Sequence, residues 1–344
     1  MKNAVFGLDI GITTMRACWL ENDKKGIKYI SALSAPTPVK SMSSESPLDH
    51  QELAAAINKL VIDAKITTNN VSIALPENRV YTKVIDMPNL SEKELSSAIY
   101  WEAEQYIPAS LDTMTLDWSI LKKIKSGQVS KKMQVLLVAA PIQTIKRYQS
   151  ILELAGLSIT SIETEILSVI RSLVSDENFP TSLIMNIGAL NTSVSIVQNG
   201  SVVFTYIIPL GGIALTRAIS ADFGFALPQA EEYKKIYGLM DSDFGGKISN
   251  AIQPILFTMV TEIKKAINFY SDKYQNEFPI VQLLLTGGSA SLAGIDSYFV
   301  KNIGIETVIG NPWKLLNIQG VPKDIESRGP EFAVSIGLAL KDYE

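Results

Sequence analysis

The sequence is poor in the groups on which most hydrolases and metalloproteins depend. It has one histidine, His50, and one cysteine, Cys18, in 344 residues. A lone histidine excludes Ser/His/Asp and Cys/His catalysis and any His-rich metal site, and His50 reads as first-turn helix surface. A lone cysteine excludes an intramolecular disulfide and points to a reducing compartment, with Cys18 a small buried apolar residue. Charge is sparse as well: 19% of residues are charged, the net charge is −4, and Lys and Arg are scattered. No footprint for a nucleic-acid backbone follows, so no nucleic-acid partner is expected. The pairs Lys24-Lys25, Lys122-Lys123 and Lys131-Lys132 read as solvated loop tips rather than a membrane-binding patch. Long apolar runs are missing too; the densest, Val135 to Ala140, has the length of a buried strand. The opening MKNAVFGLDIG has Asp9 inside its only apolar run and reads as no export signal. The expectation is a cytoplasmic protein without direct membrane insertion, held at the inner face of a membrane through a partner.

A hydrophobic content of 47% can fill a core of about two domains. The first part reads strand VFGLDI, tight turn, strand MRACWL, a third strand near Ile27 to Leu33, a helix from about Asp49 with Asp49 and Glu52 in capping-box spacing, then strand VSIALP. From Lys83 the texture becomes α+β: a helix from Ser91 to Ile107 opened by a Ser91/Glu94 capping box and stopped by Pro108, two strands, and a helix opened by Pro141. At Thr181 the opening pattern returns, with Asn199-Gly200 as a hairpin turn. A largely helical stretch follows from Gly211 to Gln275, with Gly224 and Gly238 as C-terminal caps. The return of the pattern suggests an internal duplication, two halves packed around a cleft in which a ligand binds.

Three glycine motifs carry the candidate chemistry. In Gly7-Leu8-Asp9-Ile10-Gly11-Ile12-Thr13-Thr14-Met15-Arg16 a strand delivers a carboxylate and a turn exposes backbone N–H groups, a pattern able to cradle phosphate while Asp9 holds Mg²⁺ through water. Asn186-Ile187-Gly188-Ala189-Leu190-Asn191-Thr192 repeats the device in the second half. Leu285-Thr286-Gly287-Gly288-Ser289 then sets two glycines between a strand and a helix start, where a base or ribose can approach the backbone.

Paired phosphate hairpins followed by LTGG resemble the actin, sugar-kinase and DnaK-type ATPase superfamily. ELSSAIYWEAEQYIP, IPLGGIALTRAI, AEEYKKIYG, LLLTGGSASLAGI, GNPW and PEFAVSIGLAL narrow the resemblance to the PilM family of type IV pilus assembly proteins, related to the cell-division protein FtsA. It implies an α/β actin-like two-domain fold with duplicated ribonuclease-H-like halves and an inserted SHS2-like α+β subdomain. The implied boundaries are 1–82 with 159–180 for the first half and 83–158 for the insert. The second half takes 181–210 with 276–329, its helical part 211–275, and a C-terminal helix from 330 to 344 returns to the first half.

The resemblance implies ATP and Mg²⁺ as ligands. Asp9, Gly11, Thr13, Thr14 and Arg16 match the first phosphate motif, with Asp9 on the metal, and Gly188 and Thr192 match the second. Gly211 and Gly212 match a glycine pair near the phosphates, Glu231 and Lys234 a pair reaching ribose and base, and Gly287, Gly288 and Ser289 the adenosine motif. Glu165 and Gly337 fall on the connections between halves, and Glu165 is the candidate to polarise a water. Where the family pattern has Asp this chain has Asn186, which removes one negative charge near the metal and places hydrolysis in doubt. The helix from Ser91 puts Leu95, Ala98, Ile99, Ala103, Tyr106 and Ile107 on a core stripe, leaving Tyr100 and Trp101 off it as candidate partner contacts. The family function is a cytoplasmic scaffold at the pilus inner-membrane platform that binds the N-terminal tail of PilN. The sequence runs from the second connection straight into Lys341-Asp342-Tyr343-Glu344, without the membrane-targeting helix of FtsA. Alternatives on the same fold are a turning-over ATPase or small-molecule kinase, for which no acceptor base stands out, and a filament former.

Overall fold

The structure is a computed structural model that describes residues 4–23, 26–40, 42, 44–122, 132–240, 243–275 and 277–343. Lys24, Lys25, Lys123, Lys131 and Glu344 lie outside the described residues, and with them the reading of the lysine pairs.

The first half opens with β1 (Val5–Ile10), buried along its whole length, β2 (Thr14–Asp23) and β3 (Gly26–Pro36), followed by α1 (Pro47–Asp63) and β4 (Asn70–Leu75). The chain then leaves this sheet for β5 (Tyr81–Pro88), α2 (Glu92–Tyr106), β6 (Met114–Lys122) and β7 (Lys132–Pro141), and returns through α3 (Ile142–Leu154) to β8 (Ser158–Thr164) and α4 (Glu165–Leu173). The second half runs β9 (Ser182–Ile187), β10 (Thr192–Gln198), β11 (Ser201–Ile208), α5 (Gly212–Phe223), α6 (Leu227–Tyr237), α7 (Asp243–Lys273) and β12 (Gln282–Thr286). It continues through α8 (Ile295–Ile303), β13 (Glu306–Ile309), α9 (Pro312–Leu315), α10 (Lys323–Ser327) and α11 (Ala333–Leu340).

The five-stranded sheets have orders β3-β2-β1-β4-β8 and β11-β10-β9-β12-β13. In both, three antiparallel strands from consecutive hairpins are extended by two parallel ones, so the second half repeats the first strand for strand. The Asn199-Gly200 turn closes β10 on β11 with both residues at positive φ, 51° and 73°, as a two-residue hairpin turn of the right twist requires. The insert has its own sheet, β5-β7-β6, with the apolar run of β7 as the central strand. Leu95, Ile99, Ala103 and Ile107 of α2 bury against it, whereas Tyr106 stays 36% exposed under the Lys83 ammonium, outside the expected core stripe.

Helices α4 and α11 carry the chain between the halves and cross where a Cβ on Gly337 would lie 1.8 Å from the Ser168 carbonyl oxygen. Gly7 of β1 lets α11 lie equally close, its added Cβ falling 2.1 Å from the Ser335 carbonyl. A buried ion cluster ties the crossing: Arg171 donates to both oxygens of Glu163 (2.5 and 3.0 Å) and to the Gly337 carbonyl (3.1 Å), and Lys341 donates to Glu163 Oε2 (2.8 Å). Burial works against ionisation of Glu163, but the two cations and the Ser168 hydroxyl outweigh it and hold the carboxyl below the usual range.

Several sequence expectations shift. The Asp49/Glu52 capping box does not form, because Ser46 is the N-cap, Pro47 opens α1, and the Asp49 carboxylate accepts from the Ser44 hydroxyl instead. The Ser91/Glu94 box forms in both directions. Helix α3, counted with the insert from its sequence, packs Tyr148, Ile151 and Leu152 with α1 in the core of the first half. The crossing back to the first half begins near α9, not at 330. Trp313, Ile318 and Ile325 share a core with Cys18, Leu20 and Ala32, and Gln319 exchanges backbone bonds with Ile27 and Tyr29.

Candidate functional site

The three glycine motifs converge where the two sheets face each other. On the second half the cradle is preassembled. The Gly212 and Ile213 N–H groups at the start of α5 donate to the carbonyls of Gly188 and Ala189 (both 2.9 Å), and Thr192 Oγ1 donates to the Leu210 carbonyl (2.7 Å). No side chain fits at the glycine pair, since a Cβ on Gly211 would lie 2.5 Å from the Gly188 carbonyl and one on Gly212 2.5 Å from Ser289 Oγ. Gly287, at φ 88°, brings the Thr286-Gly287-Gly288-Ser289 turn against Asn186 Oδ1. Glu231 and Lys234 on α6 complete this side. The buried ammonium of Lys234 donates to the Gly212 carbonyl (3.0 Å), Thr216 Oγ1 (2.9 Å) and Glu231 Oε2 (2.6 Å). Burial lowers the Lys234 pKa against the pull of Glu231, and the same ion pair overcomes burial to keep Glu231 ionised.

On the first half the loop Gly11-Ile12-Thr13 stands open, with Ile12 and Thr13 exposed, and Thr37 fastens it by donating through its hydroxyl to the Gly11 carbonyl (2.6 Å) and through its N–H to the Thr13 carbonyl (3.1 Å). Thr14, the first residue of β2, closes the turn; its carbonyl would lie 2.7 Å from a Cβ on Gly11. Arg16 spans the cleft. Its guanidinium pairs with Asp9 at 3.7 Å and with Glu331 at 3.5 Å, and it is the nearest group to the space a Cβ on Gly288 would take. Its Nε is buried without a hydrogen-bond partner among the described residues, a donor that could serve a ligand. Burial raises the Asp9 carboxyl to about 6 although Arg16 opposes the shift.

Glu165 opens α4 on the same side. It is half-buried rather than an exposed helix start, and burial, followed by the negative fields of Asp9 and Glu77, raises its pKa well above the ordinary value. Glu77 was not legible as a site residue: ALPENR looks like a solvated turn, yet its carboxylate is buried, accepts from the Ile166 N–H (2.9 Å) and from Thr82 Oγ1 (3.2 Å), and is raised by burial to about 7. Glu331, in PEF, was missed for the same reason. The structure thus brings Asp9, Arg16, Asn186, Gly188, Gly211, Gly212, Glu231, Lys234, Gly287, Gly288 and Ser289 to one cleft. It leaves Tyr100 and Trp101 apart, exposed by 47% and 73% on the insert. A separate cavity of about 220 Å³ lies between β5, the end of α2 and β11, lined by Glu77, Lys83, Tyr106, Thr205 and Tyr206 among others.

A family model described as type IV pilus assembly protein PilM matches residues 7–343. The chain belongs to that family. Among curated relatives it is similar to the cell-division protein FtsA of Neisseria meningitidis serogroup B, 22% identical over 378 residues covering 96% of this chain and 88% of FtsA. It is also similar to FtsA of Agrobacterium fabrum, 23% identical over 321 residues covering 82% of this chain and 69% of the relative. Among solved structures, a chain described as the PilM-PilN type IV pilus biogenesis complex superposes at TM-score 0.86 with 26% identity over 99% of both chains. MreB5 of Spiroplasma citri bound to ADP superposes at 0.55 with 13% identity over 99% of this chain and 97% of its own, a likeness of fold alone. The family and the fold are therefore those of an actin-like protein of pilus assembly. Among the described residues no helix is long and apolar enough to cross a membrane.

Residues facing the cleft fit a nucleotide: an open glycine loop, an orphaned guanidinium N–H, a preassembled second loop, and a paired Glu231 and Lys234 beside Ser289. The fit to a metal is narrower. Among the described residues no cluster of three metal-ligating side chains occurs, and the position in β9 that corresponds to Asp9 in β1 holds the neutral Asn186.

Proposed function

We propose that the chain is a nucleotide-loaded scaffold of the pilus machinery, whose halves close on ATP and Mg²⁺ and whose insert presents a surface for the N-terminal tail of a PilN-like membrane protein. The observation that carries this reading is the likeness over 99% of both chains to a protein solved in a PilM-PilN complex. In this reading Gly11, Thr13, Thr14, Arg16, Gly188 and Thr192 bind phosphate with Gly211 and Gly212 beside it, and Glu231, Lys234, Gly287, Gly288 and Ser289 bind ribose and base. Asp9 and Asn186 would hold Mg²⁺ through water, and the ion would supply charge neutralisation for the phosphates. Glu165 is the water-polarising residue, its carboxyl raised above the ordinary value by burial and by the neighbouring Asp9 and Glu77. Tyr100 and Trp101 contribute to the partner surface, which holds the scaffold at the cytoplasmic face of the membrane.

Calorimetric titration of Mg-ATP into the purified protein tests the nucleotide half of the reading. Saturable binding without continuing heat is expected, sustained heat would favour a turning-over enzyme, and no binding would overturn the assignment. Titration of a synthetic PilN-like tail tests the other half, with loss of binding expected in Trp101→Ala.

A further inference from the structure

A continuous run of hydrogen bonds leaves the second half and ends in the first turn of α4, at the residue next to Glu165. Thr205 Oγ1 of β11 donates to the Thr82 carbonyl of β5 at 2.8 Å. Thr82 Oγ1 donates to Glu77 Oε2 at 3.2 Å, and Glu77 Oε1 accepts the Ile166 N–H at 2.9 Å, the first turn of α4. Three bodies meet here: the second half through β11, the insert through β5, and the helix that links the halves through α4. β5 and β11 are edge strands of their sheets and form no ladder with each other, so the Thr205 bond and the side chains around the 220 Å³ cavity are what join them. Glu77 is 3% exposed, and a buried acid that bridges the neighbouring strand β5 to the distant helix α4 resists displacement more than a surface contact does.

We propose that Glu77 is a positioning residue that ties the insert to the first turn of α4, so that closure of the halves on nucleotide is felt at β5 and α2. The proposal rests on the nucleotide reading above and extends it, because it names the residue that would make the partner surface responsive to the cleft. A change of arrangement at either end must move Glu77 or break one of its bonds, as a coupling element requires.

The test is hydrogen exchange of peptides covering residues 81–107, with and without Mg-ATP, in the wild type, Thr82→Val, Glu77→Met and Glu77→Gln. Thr82→Val removes only the bond between the insert and Glu77. Glu77→Met removes both bonds at similar length, whereas Glu77→Gln keeps an acceptor for the Ile166 N–H and a donor for Thr82. Nucleotide is expected to slow exchange of these peptides about fivefold in the wild type and in Glu77→Gln. The slowing is lost in Thr82→Val and Glu77→Met, while Mg-ATP affinity of Thr82→Val stays within about twofold of wild type. Should Glu77→Met fail to fold, Thr82→Val decides. Undiminished slowing in Thr82→Val, or a wild type that binds Mg-ATP without any slowing, overturns the coupling. A wild type that binds no Mg-ATP overturns the nucleotide reading itself.

Discussion

The two halves share a strand order but not a site. β1 and β9 occupy the same place in their sheets, and each delivers a polar residue at the same register, Asp9 in one and Asn186 in the other. The loop after β9 is sealed onto α5 by backbone bonds from Gly212 and Ile213, whereas the loop after β1 stands open with Ile12 48% exposed. One side is thus a preorganised cradle and the other an open loop beside a carboxylate already paired to Arg16. The strand order is shared by the halves, and the residues in the loops differ. The same contrast holds in the packing: Gly7 stands where the second sheet has Ile184, because α11 lies directly on β1 while Ile184 belongs to the core cluster that also holds Ile166 and Val169 of α4.

Substitution at the helix crossing should break the comparison most severely. Gly337→Val places a branched side chain against the Ser168 carbonyl, and a loss of 4 kcal/mol or more, at about the upper end of overpacking costs, is expected in chemical denaturation. Glu163→Gln leaves Arg171 and Lys341 facing an uncharged amide and should cost about 3 kcal/mol at neutral pH. The Glu163 contribution is present above the unfolded pKa and lost as pH falls through its lowered folded value, so the wild type should lose more stability in acid than Glu163→Gln.

The acids at the cleft act in the opposite sense. Asp9, raised from 3.8 to about 6, and Glu77, raised from 4.5 to about 7, keep their protons to higher pH in the folded than in the unfolded chain, so stability from them is full below their unfolded values and lost as pH rises through the folded ones. Denaturation of nucleotide-free protein between pH 4.5 and about 7 should show a shallower decline in Glu77→Gln than in the wild type. Asn186→Asp sharpens the comparison between loops by restoring the second acid. A buried charge there is expected to lower stability without metal by about 1 to 3 kcal/mol and to make the melting temperature rise on adding Mg²⁺ more than in the wild type. Trp101→Ala, on an exposed face of the insert, should change stability by no more than about 0.5 kcal/mol.

Much of the fold was legible because it rests on local signals. Alternation marked the strands, Asn199-Gly200 marked a hairpin, Ser91 and Glu94 marked a helix start, and the returning strand-turn-strand pattern marked the duplication. The glycine motifs were legible because backbone approach admits only one residue type. Glu77, Glu331 and the cluster of Glu163, Arg171 and Lys341 were not legible, since a charged residue beside a turn looks solvated until its distant partner is known. The assignment of α3 and of the segment from α9 to α10 failed for a related reason: an amphipathic helix shows in sequence that it has an apolar face, not which sheet covers that face.

The sequence by itself determined the element types, the duplicated hairpins and the residue types able to meet a phosphate, because each depends on neighbours within a few positions. Only the tertiary structure decided which acids are buried, what Arg16 pairs with, and that the insert, α4 and the second half meet at Glu77, because burial and charge pairing join residues as far apart in the chain as Glu77 and Ile166.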